Sequence, residues 1–350
     1  MIDAVILVLA FLVILLGAEL FTNGIEWFGR KLEVAEGAVG SVLAAVGTAL
    51  PETMIPIIAI LFAGGSSTAV GIGAILGAPF MLATLAMFVT GIAVLVSARH
   101  RASRDVMPVD TRVLAHDMRY FATAYAVAIG AAFLPAELPW AKWLVGLALL
   151  VAYGWYVKGH FEADPAVDAE DLAPLRFHRL DRRARHVDPA VPRLRVVNFQ
   201  VLAALGLIIA GAYFFVGAVE HLARTLGVDE ALLALVIAPI ATELPEKFNS
   251  VIWVRQGKDT LAMGNITGAM VFQSTIPTVV ALVFASSSWH IGEGTYTAFA
   301  SAAIAFISSA VIFIPMARTG RLLGRGLLVG GVFYLAYLGL VVAVVAGALP

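Results

Sequence analysis

Long apolar stretches constrain the fold of this chain more than any other feature of its sequence. About 20 consecutive apolar residues are enough for a helix to cross the hydrocarbon core of a bilayer. The chain has 350 residues, of which 61% are hydrophobic and only 13% are charged, whereas an ordinary soluble domain has about 25% charged residues. The sequence therefore predicts an all-α polytopic membrane protein. Ten transmembrane helices are predicted, at 3–28, 36–63, 69–97, 120–136, 139–157, 199–223, 229–254, 260–286, 293–316 and 326–348.

Composition and motifs exclude several other classes of protein. The chain has no cysteine, and its net charge of −1 provides no basic field for nucleic acid. The apolar stretches do not alternate with a period of two, as the strands of a membrane β-barrel do. No aspartate is expected within a span except Asp3 and Asp229 at span edges, and the zinc-protease motif His-Glu-x-x-His is absent. We therefore predict that the protein is not an enzyme and has no catalytic residues and no cofactor.

The basic residues predict an orientation. All of the 23 lysines and arginines except Lys142, Arg224 and Lys247 fall in the loops that join spans 1–2, 3–4, 5–6, 7–8 and 9–10. Cytoplasmic loops carry an excess of Lys and Arg, so these five loops are predicted to lie in the cytoplasm and both termini outside. Lys142 is expected at the outer edge of span five. The predicted location is a prokaryotic plasma (inner) membrane.

The chain contains an internal repeat. A shift of 194 positions places Gly17–Glu52 over Gly211–Glu246, and fourteen of the 36 pairs are identical, including charged residues that hydrophobic composition alone would not align. Each half holds five spans, an odd number, so the halves are predicted to have opposite orientations in the membrane. This gives two inverted five-helix repeats, at 1–158 and 198–350, joined by a cytoplasmic linker at 159–197. Inverted repeats are typical of secondary transporters that bind their substrate at mid-membrane.

The repeated segments carry the chemistry. Each contains Thr-x-Leu-Pro-Glu, from Thr48 to Glu52 in span two and from Thr242 to Glu246 in span seven. Proline interrupts helical hydrogen bonding, and the freed carbonyls, hydroxyls and carboxylates are oxygen ligands that suit Na⁺ or Ca²⁺. A carboxylate at the bilayer centre costs at least about 2.5–3.5 kcal/mol, which a bound cation would offset. We predict that Glu52 and Glu246 bind the transported ion, assisted by Thr48 and Thr242.

Further polar residues have alternative interpretations. Glu243 lies one turn before Glu246, and it either joins the metal site or pairs with Lys247. Lys247 and Glu243 are also candidates for proton or charge coupling. Glu19 has no acidic counterpart in the second repeat, and it is a candidate proton site or cytoplasmic-gate residue. Asn265 in span eight either supplies a carbonyl ligand or forms an interhelical hydrogen bond.

These motifs resemble those of the Ca²⁺/cation antiporter superfamily, the membrane domain of sodium/calcium exchangers. That family has two inverted α-repeats, each with a Gly-Thr-Ser-Leu-Pro-Glu-like motif and, on the next helix, a Gly-Asn-x-x-Gly-Ser-Asn-like motif. Here the first motif corresponds to 47–52 and 241–246, and the second to 73–79 and 264–270. The resemblance implies that the two glutamates bind Ca²⁺, that spans two, three, seven and eight form the core, and that spans one and six act as sliding gates.

The chain also departs from that pattern. The last position of the second motif, usually Asn or Asp, is Pro79 in one half and Met270 in the other, and the serine of the first motif is Ala49 or Glu243. Several oxygen ligands expected for Na⁺ are therefore missing. The glycines of the second motif are retained and are predicted to allow close helix packing.

The predicted function is that of a secondary active cation antiporter, which exchanges Ca²⁺ against Na⁺ or H⁺ by alternating access. The alternatives are a relative of the family that transports another cation or couples transport to protons, and a cation channel. The predicted partners are the lipid bilayer and the transported cations, with no nucleic acid. The counter-ion, the stoichiometry and the oligomeric state stay open.

Overall fold

The computed structural model describes residues 2–31, 50–63, 67–101, 103–135, 137–163, 173–181, 192–227, 250–251, 253–255, 257, 259–292 and 295–346. This part of the chain is almost entirely helical. The α-helices are α1 (Ile2–Lys31), α2 (Leu50–Ile58), α3 (Ser67–Met81), α4 (Met87–Ser97), α5 (Thr111–Gly130), α6 (Pro139–Ala163), α7 (Leu194–Leu226), α8 (Asp259–Phe284), α9 (Tyr296–Thr319), α10 (Gly324–Leu327) and α11 (Val329–Val345). Two short strands, β1 (Val106–Met107) and β2 (Leu322–Leu323), pair antiparallel. A π-helical turn at Leu82–Ala86 joins α3 to α4, and another at Ala59–Ala63 follows α2.

Seven helices in the described residues are long and apolar enough to cross a membrane. They coincide with predicted spans one, three, five, six, eight, nine and ten, and they run over Asp3–Phe21, Thr68–His100, Pro139–Gly159, Leu194–Leu226, Ala262–Phe284, Tyr296–Thr319 and Gly324–Val344. A shorter apolar helix, Thr53–Phe62, lies within predicted span two. Most of predicted span seven lies outside the described residues. The count of ten spans therefore stays a prediction.

Helix α5 extends further toward the N-terminus than predicted span four, 120–136. Helix α5 begins at Thr111 rather than at residue 120, because the carboxylate of Asp110 accepts hydrogen bonds from the backbone N–H groups of Arg112 (2.9 Å) and Val113 (3.3 Å). This is the usual way in which an aspartate caps a helix start. Arg112 and Arg119 therefore belong to a helix and not to a loop. Asp117 is also inside this helix and buried, although it lies outside the predicted span.

Helices α1 and α7 cross at two glycines in a reciprocal contact. A Cβ atom on Gly17 would lie 2.8 Å from Cγ1 of Ile208, and a Cβ atom on Gly211 would lie 2.7 Å from Cγ1 of Ile14. The same shift of 194 positions relates Gly17 to Gly211 and Ile14 to Ile208. The two helices are therefore equivalent in sequence, run antiparallel, and meet through a contact that is the same in both directions, as in a two-fold symmetric interface.

We expect Gly17→Ala and Gly211→Ala each to lower the free energy of unfolding by about 1–3 kcal/mol. The added methyl group would overlap an isoleucine side chain, and the backbone of the partner helix lies directly behind it. Gly206→Ala is the control, because a Cβ atom there meets nothing within 4 Å. Denaturant unfolding in mixed micelles measures all three. If Gly206→Ala lowered the free energy of unfolding as much as the other two variants, the close contact of α1 and α7 at Gly17 and Gly211 would be contradicted.

Three of the loops predicted on the cytoplasmic side meet at one end of the bundle. Strand β1, in the connection between spans three and four, pairs with β2, in the connection between spans nine and ten. Arg101, just after α4, binds the carbonyl of Val254 (2.7 Å) and the carboxylate of Asp259, which lie on either side of the connection between spans seven and eight. The alternation of loops predicted from the basic residues agrees with this arrangement.

A buried tryptophan and a buried lysine organise the opposite end. Trp289, in the connection between α8 and α9, is fully buried and donates from Nε1 to the carbonyl of Ala128 at the end of α5 (3.0 Å). Lys142 lies at the expected edge of span five, but its ammonium group is buried and donates to the carbonyls of Ser286 (2.7 Å) and Trp289 (2.8 Å). It joins the start of α6 to the connection between α8 and α9.

Candidate functional site

The described residues contain part of the predicted ion site. Glu52 lies in α2, two residues after Leu50, and its side chain is outside the described part of the chain. The other residues of the two Thr-x-Leu-Pro-Glu segments that were predicted to act are outside it as well: Thr48, Thr242, Glu243, Glu246 and Lys247. Within the described residues, no three acidic or histidine side chains come together as metal ligands. The convergence of Glu52 and Glu246 therefore stays a prediction.

The helices that carry the two motifs pack together. Helix α2 contacts α3, α7 and α8, and α3 contacts α8. The buried face of α8 is polar for a membrane helix, with hydroxyl groups on Ser274, Thr275 and Thr278. Ser274 and Thr275 donate to the carbonyl of Val271 on their own helix, at 3.0 and 2.7 Å. These two hydroxyl groups therefore have hydrogen-bond partners on their own helix without a bound ion.

Asn265 is different, because its amide nitrogen is buried and has no hydrogen-bond partner among the described residues. Beside it, a Cβ atom on Gly264 or Gly268 would meet none of the described residues within 4 Å. Asn265 and Gly268 lie one helical turn apart and share a face of α8. An amide can turn its carbonyl oxygen or its NH₂ group toward the same space. Asn265 is therefore able to present an oxygen to a cation in the open space beside α8.

The glycines of the second motif were predicted to allow close helix packing. Among the described residues, no atom approaches a Cβ position on Gly264 or Gly268 within 4 Å, and Gly73 and Gly77 of the first repeat are buried, so close packing at this motif stays a prediction. The last positions of the motif are apolar and buried. Met270 belongs to the hydrophobic core, and Pro79 lies inside α3. Neither side chain brings an oxygen atom to the site.

Glu19 lies on the exposed surface of α1. Its carboxylate pairs with Arg176 of the linker, with Nη2 2.8 Å from Oε1. On the next turns of α1, Trp27 Nε1 donates to the carbonyl of Ala173 (2.9 Å), and Asn23 Oδ1 accepts from the backbone N–H of Arg176 (3.0 Å). We call residues 173–177 the linker latch. Both interpretations of Glu19, as a proton site and as a cytoplasmic-gate residue, stay predictions.

The linker latch also holds α7. The backbone N–H of Phe177 donates to Gln200 Oε1 (2.8 Å), and Gln200 Nε2 donates to the carbonyl of Leu20 (2.8 Å) and to Asn23 Oδ1 (3.0 Å). Leu175 is buried with Trp27 in a small apolar cluster. The linker was predicted as a cytoplasmic connection between the halves, and this part of it ties the two crossing helices together.

Asp117 is a buried carboxylate that was not among the candidate residues. Tyr156 Oη of α6 donates to its Oδ1 (2.8 Å), and Thr267 Oγ1 of α8 donates to its Oδ2 (2.7 Å). Thr267 is two residues after Asn265, so α5 is bound to the helix that carries the second motif. Two features of the sequence could have placed Asp117 in a helix. They are the capping residue Asp110 and the helical spacing of the buried positions Leu114, Met118 and Phe121 that follow it.

Taken together, the fold and these polar sites define a polytopic membrane transporter built around buried oxygen-bearing side chains. The sequence matches the family of the Sodium/calcium exchanger protein over residues 2–159 and 198–346, which is most of the chain. The chain therefore belongs to the sodium/calcium exchanger family, within the Ca²⁺/cation antiporter superfamily. The members of this family are integral membrane transporters and not enzymes.

Individual relatives agree with the family. CaxA of Alkalimonas amylolytica, a protein named as an antiporter, is 26% identical over 277 residues, which cover 78% of each chain. The crystal structure of the H⁺/Ca²⁺ exchanger CAX is similar with a TM-score of 0.73 at 16% identity, and the match covers 96% of this chain and 82% of that one. The sodium-calcium exchanger NCX_Mj, soaked with 2.5 mM Na⁺ and 10 mM Sr²⁺, is similar with a TM-score of 0.58 at 17% identity, over 97% and 98%. At these identities the two structures support the fold alone.

Proposed function

We propose that the chain is a secondary active antiporter that exchanges Ca²⁺ for protons by alternating access. The observation that carries this proposal is the buried amide of Asn265, which has no hydrogen-bond partner among the described residues and lies on the helix of the second motif, where none of the described residues fills the space at Gly264 and Gly268. In this proposal Glu52 and Glu246 supply the charge of the site. The remaining oxygen ligands come from Asn265, Thr48 and Thr242.

The charge of the site matches one divalent cation. If Glu52, Glu243, Glu246 and Lys247 are all ionised, their side chains sum to −2. Glu243 then acts as a further ligand or pairs with Lys247 at i and i+4. In this proposal Lys247 is a fixed positive charge beside the ion. Its ammonium group takes the place of a Na⁺ ion that an exchanger with more oxygen ligands would bind.

Protons are the favoured counter-ion because this chain lacks oxygen atoms where the family pattern has Na⁺ ligands. Pro79 and Met270 are apolar, and Met270 is fully buried. One of the similar structures is that of the H⁺/Ca²⁺ exchanger CAX, and the relative CaxA is named as an antiporter. Na⁺ is the second candidate, because the structure of NCX_Mj matches almost the whole length of this chain.

We also propose the predicted architecture of two inverted five-helix repeats, at 1–158 and 198–350, with the linker 159–197 in the cytoplasm. The reciprocal, antiparallel crossing of α1 and α7 supports it, because equivalent helices of inverted repeats run in opposite directions. The meeting of alternate loops at one end of the bundle supports the predicted topology, with both termini outside a prokaryotic plasma membrane.

Uptake of ⁴⁵Ca²⁺ into proteoliposomes tests the proposal. We expect uptake under an imposed pH gradient and little under a Na⁺ gradient alone. Glu52→Gln and Glu246→Gln should each abolish it, because each removes a negative charge from the ion site. Glu137→Gln is the control, since Glu137 is exposed in the turn before α6, and it should leave uptake unchanged.

Three other outcomes would contradict the proposal in different ways. Uptake driven only by Na⁺ would make the protein a Na⁺/Ca²⁺ exchanger. Uptake that follows the Ca²⁺ gradient without either coupling ion would indicate a channel. No Ca²⁺ flux in folded protein would mean that the family fold transports another cation here.

A further inference from the structure

Asp117 is a buried acidic residue with hydrogen-bond partners on two other helices. The residue is 1% exposed, and its carboxylate joins α5 to Tyr156 of α6 and Thr267 of α8. Ionisable residues inside a membrane bundle are costly, and they often mark ion or proton pathways. The candidate ion site makes no use of Asp117, so its presence needs a separate explanation.

The surroundings of Asp117 suit both of its protonation states. A phenol hydroxyl donates to a carboxylate, and it accepts from a carboxylic acid after turning. Thr267 has an alternative acceptor as well, because its Oγ1 lies 3.4 Å from the carbonyl of Gly264, against 2.7 Å from Asp117 Oδ2. If Asp117 gains a proton, Tyr156 can accept from it and Thr267 can turn toward Gly264. In both states Asp117 and Thr267 each keep a hydrogen-bond partner.

A histidine connects Asp117 to the surface. His116 Nδ1 is 4.0 Å from Asp117 Oδ1, and the His116 side chain is mostly exposed. Its ring stacks on the ring of Tyr156, with the centroids 5.7 Å apart and an angle of 6° between the planes. Histidine is the side chain that exchanges protons near neutral pH, and one bridging water or a small rotation spans such a distance.

We propose that Asp117 is a proton-binding residue outside the candidate ion site, loaded from the surface through His116 and sensed by α8 through Thr267. In the loading step the Nδ1–H bond of protonated His116 breaks, an O–H bond forms on Asp117 Oδ1, and the imidazole is left neutral. The hydroxyl of Thr267 then moves toward the carbonyl of Gly264, the residue before Asn265. This inference rests on the proposed proton coupling and adds a second place where a proton acts.

The other groups around Asp117 do not supply a competing charge among the described residues. Tyr120 and Tyr153 pack on the ring of Tyr156, at centroid distances of 4.8 and 6.1 Å, and both are neutral phenols. From α8 the facing group is the hydroxyl of Thr267, and α9 meets α5 through the ring of Phe306. Within the described part of the chain, His116 lies at the edge of this group, with Nδ1 4.0 Å from the carboxylate of Asp117.

Infrared difference spectroscopy on the full-length protein, titrated without Ca²⁺, measures the protonation directly. We expect a carboxylic-acid C=O band in the wild type that is absent in Asp117→Asn. Asp110→Asn is the matched control on the same helix: Asp110 is exposed, and asparagine caps a helix equally well, so the band should be retained. An Asp117→Asn spectrum identical to that of the wild type would overturn the proposal. This readout does not depend on transport, so it separates the proposal from a failure of Ca²⁺ exchange.

Transport then tests whether α8 senses the proton. Thr267→Val should keep the infrared band of Asp117. Asp117→Asn is expected to remove part of the pH dependence of ⁴⁵Ca²⁺ uptake, and Thr267→Val should remove the same part. Thr267→Ser should restore it, because serine retains the hydroxyl. These variants preserve the carboxylate, so they also serve if Asp117→Asn does not fold. Equal loss of uptake at every pH in Thr267→Val, without a change in the pH profile, would mean that Asp117 is only a structural tie.

Discussion

Replacing Asp259 with asparagine is expected to lower the free energy of unfolding by about 3–5 kcal/mol, because it leaves a buried guanidinium without its counter-charge. The side chain of Arg101 is 6% exposed and that of Asp259 is fully buried. Both guanidinium NH₂ groups bind the carboxylate, with Nη1 2.8 Å from Oδ1, and Nη1 also donates to the carbonyl of Val254. Such a planar, two-point pair is among the strongest hydrogen-bonded contacts in proteins. It joins the end of the third predicted span to the start of α8.

The pair between Arg325 and Asp105 is the control for this prediction. It belongs to the same end of the bundle, but Arg325 is 72% exposed and its Nε lies 3.4 Å from Asp105 Oδ2. An exposed ion pair contributes about 0–1 kcal/mol, so Arg325→Gln should change stability little. Arg101→Met combined with Asp259→Leu should recover most of the loss, since no buried charge is left. The free energy of unfolding is measured by denaturation in mixed micelles. Equal losses for Asp259→Asn and Arg325→Gln would contradict the argument that burial makes the first pair the stronger one.

Trp289→Ala is expected to destabilise the protein by about 3–5 kcal/mol, the usual cost of removing a large buried aromatic side chain. Trp289 is fully buried and packs edge-on against Phe299, with the ring centroids 5.5 Å apart. Its truncation also leaves the carbonyl of Ala128 without the donor at 3.0 Å. The loss should be seen as a lower midpoint for unfolding in micelles.

Trp155 on α6 offers a control of the same residue type. Its side chain is 74% exposed, so Trp155→Ala creates no cavity and should stay within about 0.5 kcal/mol of the wild type. Trp289→Phe retains an aromatic ring but not the indole donor, and it should fall between the two. Similar losses for Trp289→Ala and Trp155→Ala would show that Trp289 does not close this end of the bundle.

Hydropathy predicted seven of the described helices but not the start of a helix that is apolar on one side only. The seven described helices that are able to span a membrane all fall on predicted spans. The start of α5 at Thr111 was missed because a sliding average combines its buried face, which includes Phe121 and Tyr125, with exposed residues such as Arg112 and Arg119. The periodicity of its buried positions, together with the cap at Asp110, predicts it better than the average.

The repeated motifs of the candidate site could be predicted from the sequence, but its contacts between residues far apart in the chain could not. Thr-x-Leu-Pro-Glu and the position of Asn265 are local patterns that repeat or follow one another in sequence. The contact of Asp117 with Thr267 joins residues 150 positions apart, and that of Lys142 with Trp289 joins residues 147 apart. Nothing local to Asp117 or Lys142 specifies its partner, so these buried contacts depend on how the helices pack.

The linker latch has a consequence for the order in which the chain is assembled. Helix α1 packs mainly against α7, and the hydrogen bond from Gln200 to Leu20 spans 180 positions. At a synthesis rate of about 5–20 residues per second, Leu20 waits about 10–40 s before Gln200 exists. For most of that interval the side chain of Asn23 lacks the partners that the structure gives it, because Ala173 and Arg176 are made late in it and Gln200 at its end. The first helix to be synthesised is therefore among the last to reach its final packing.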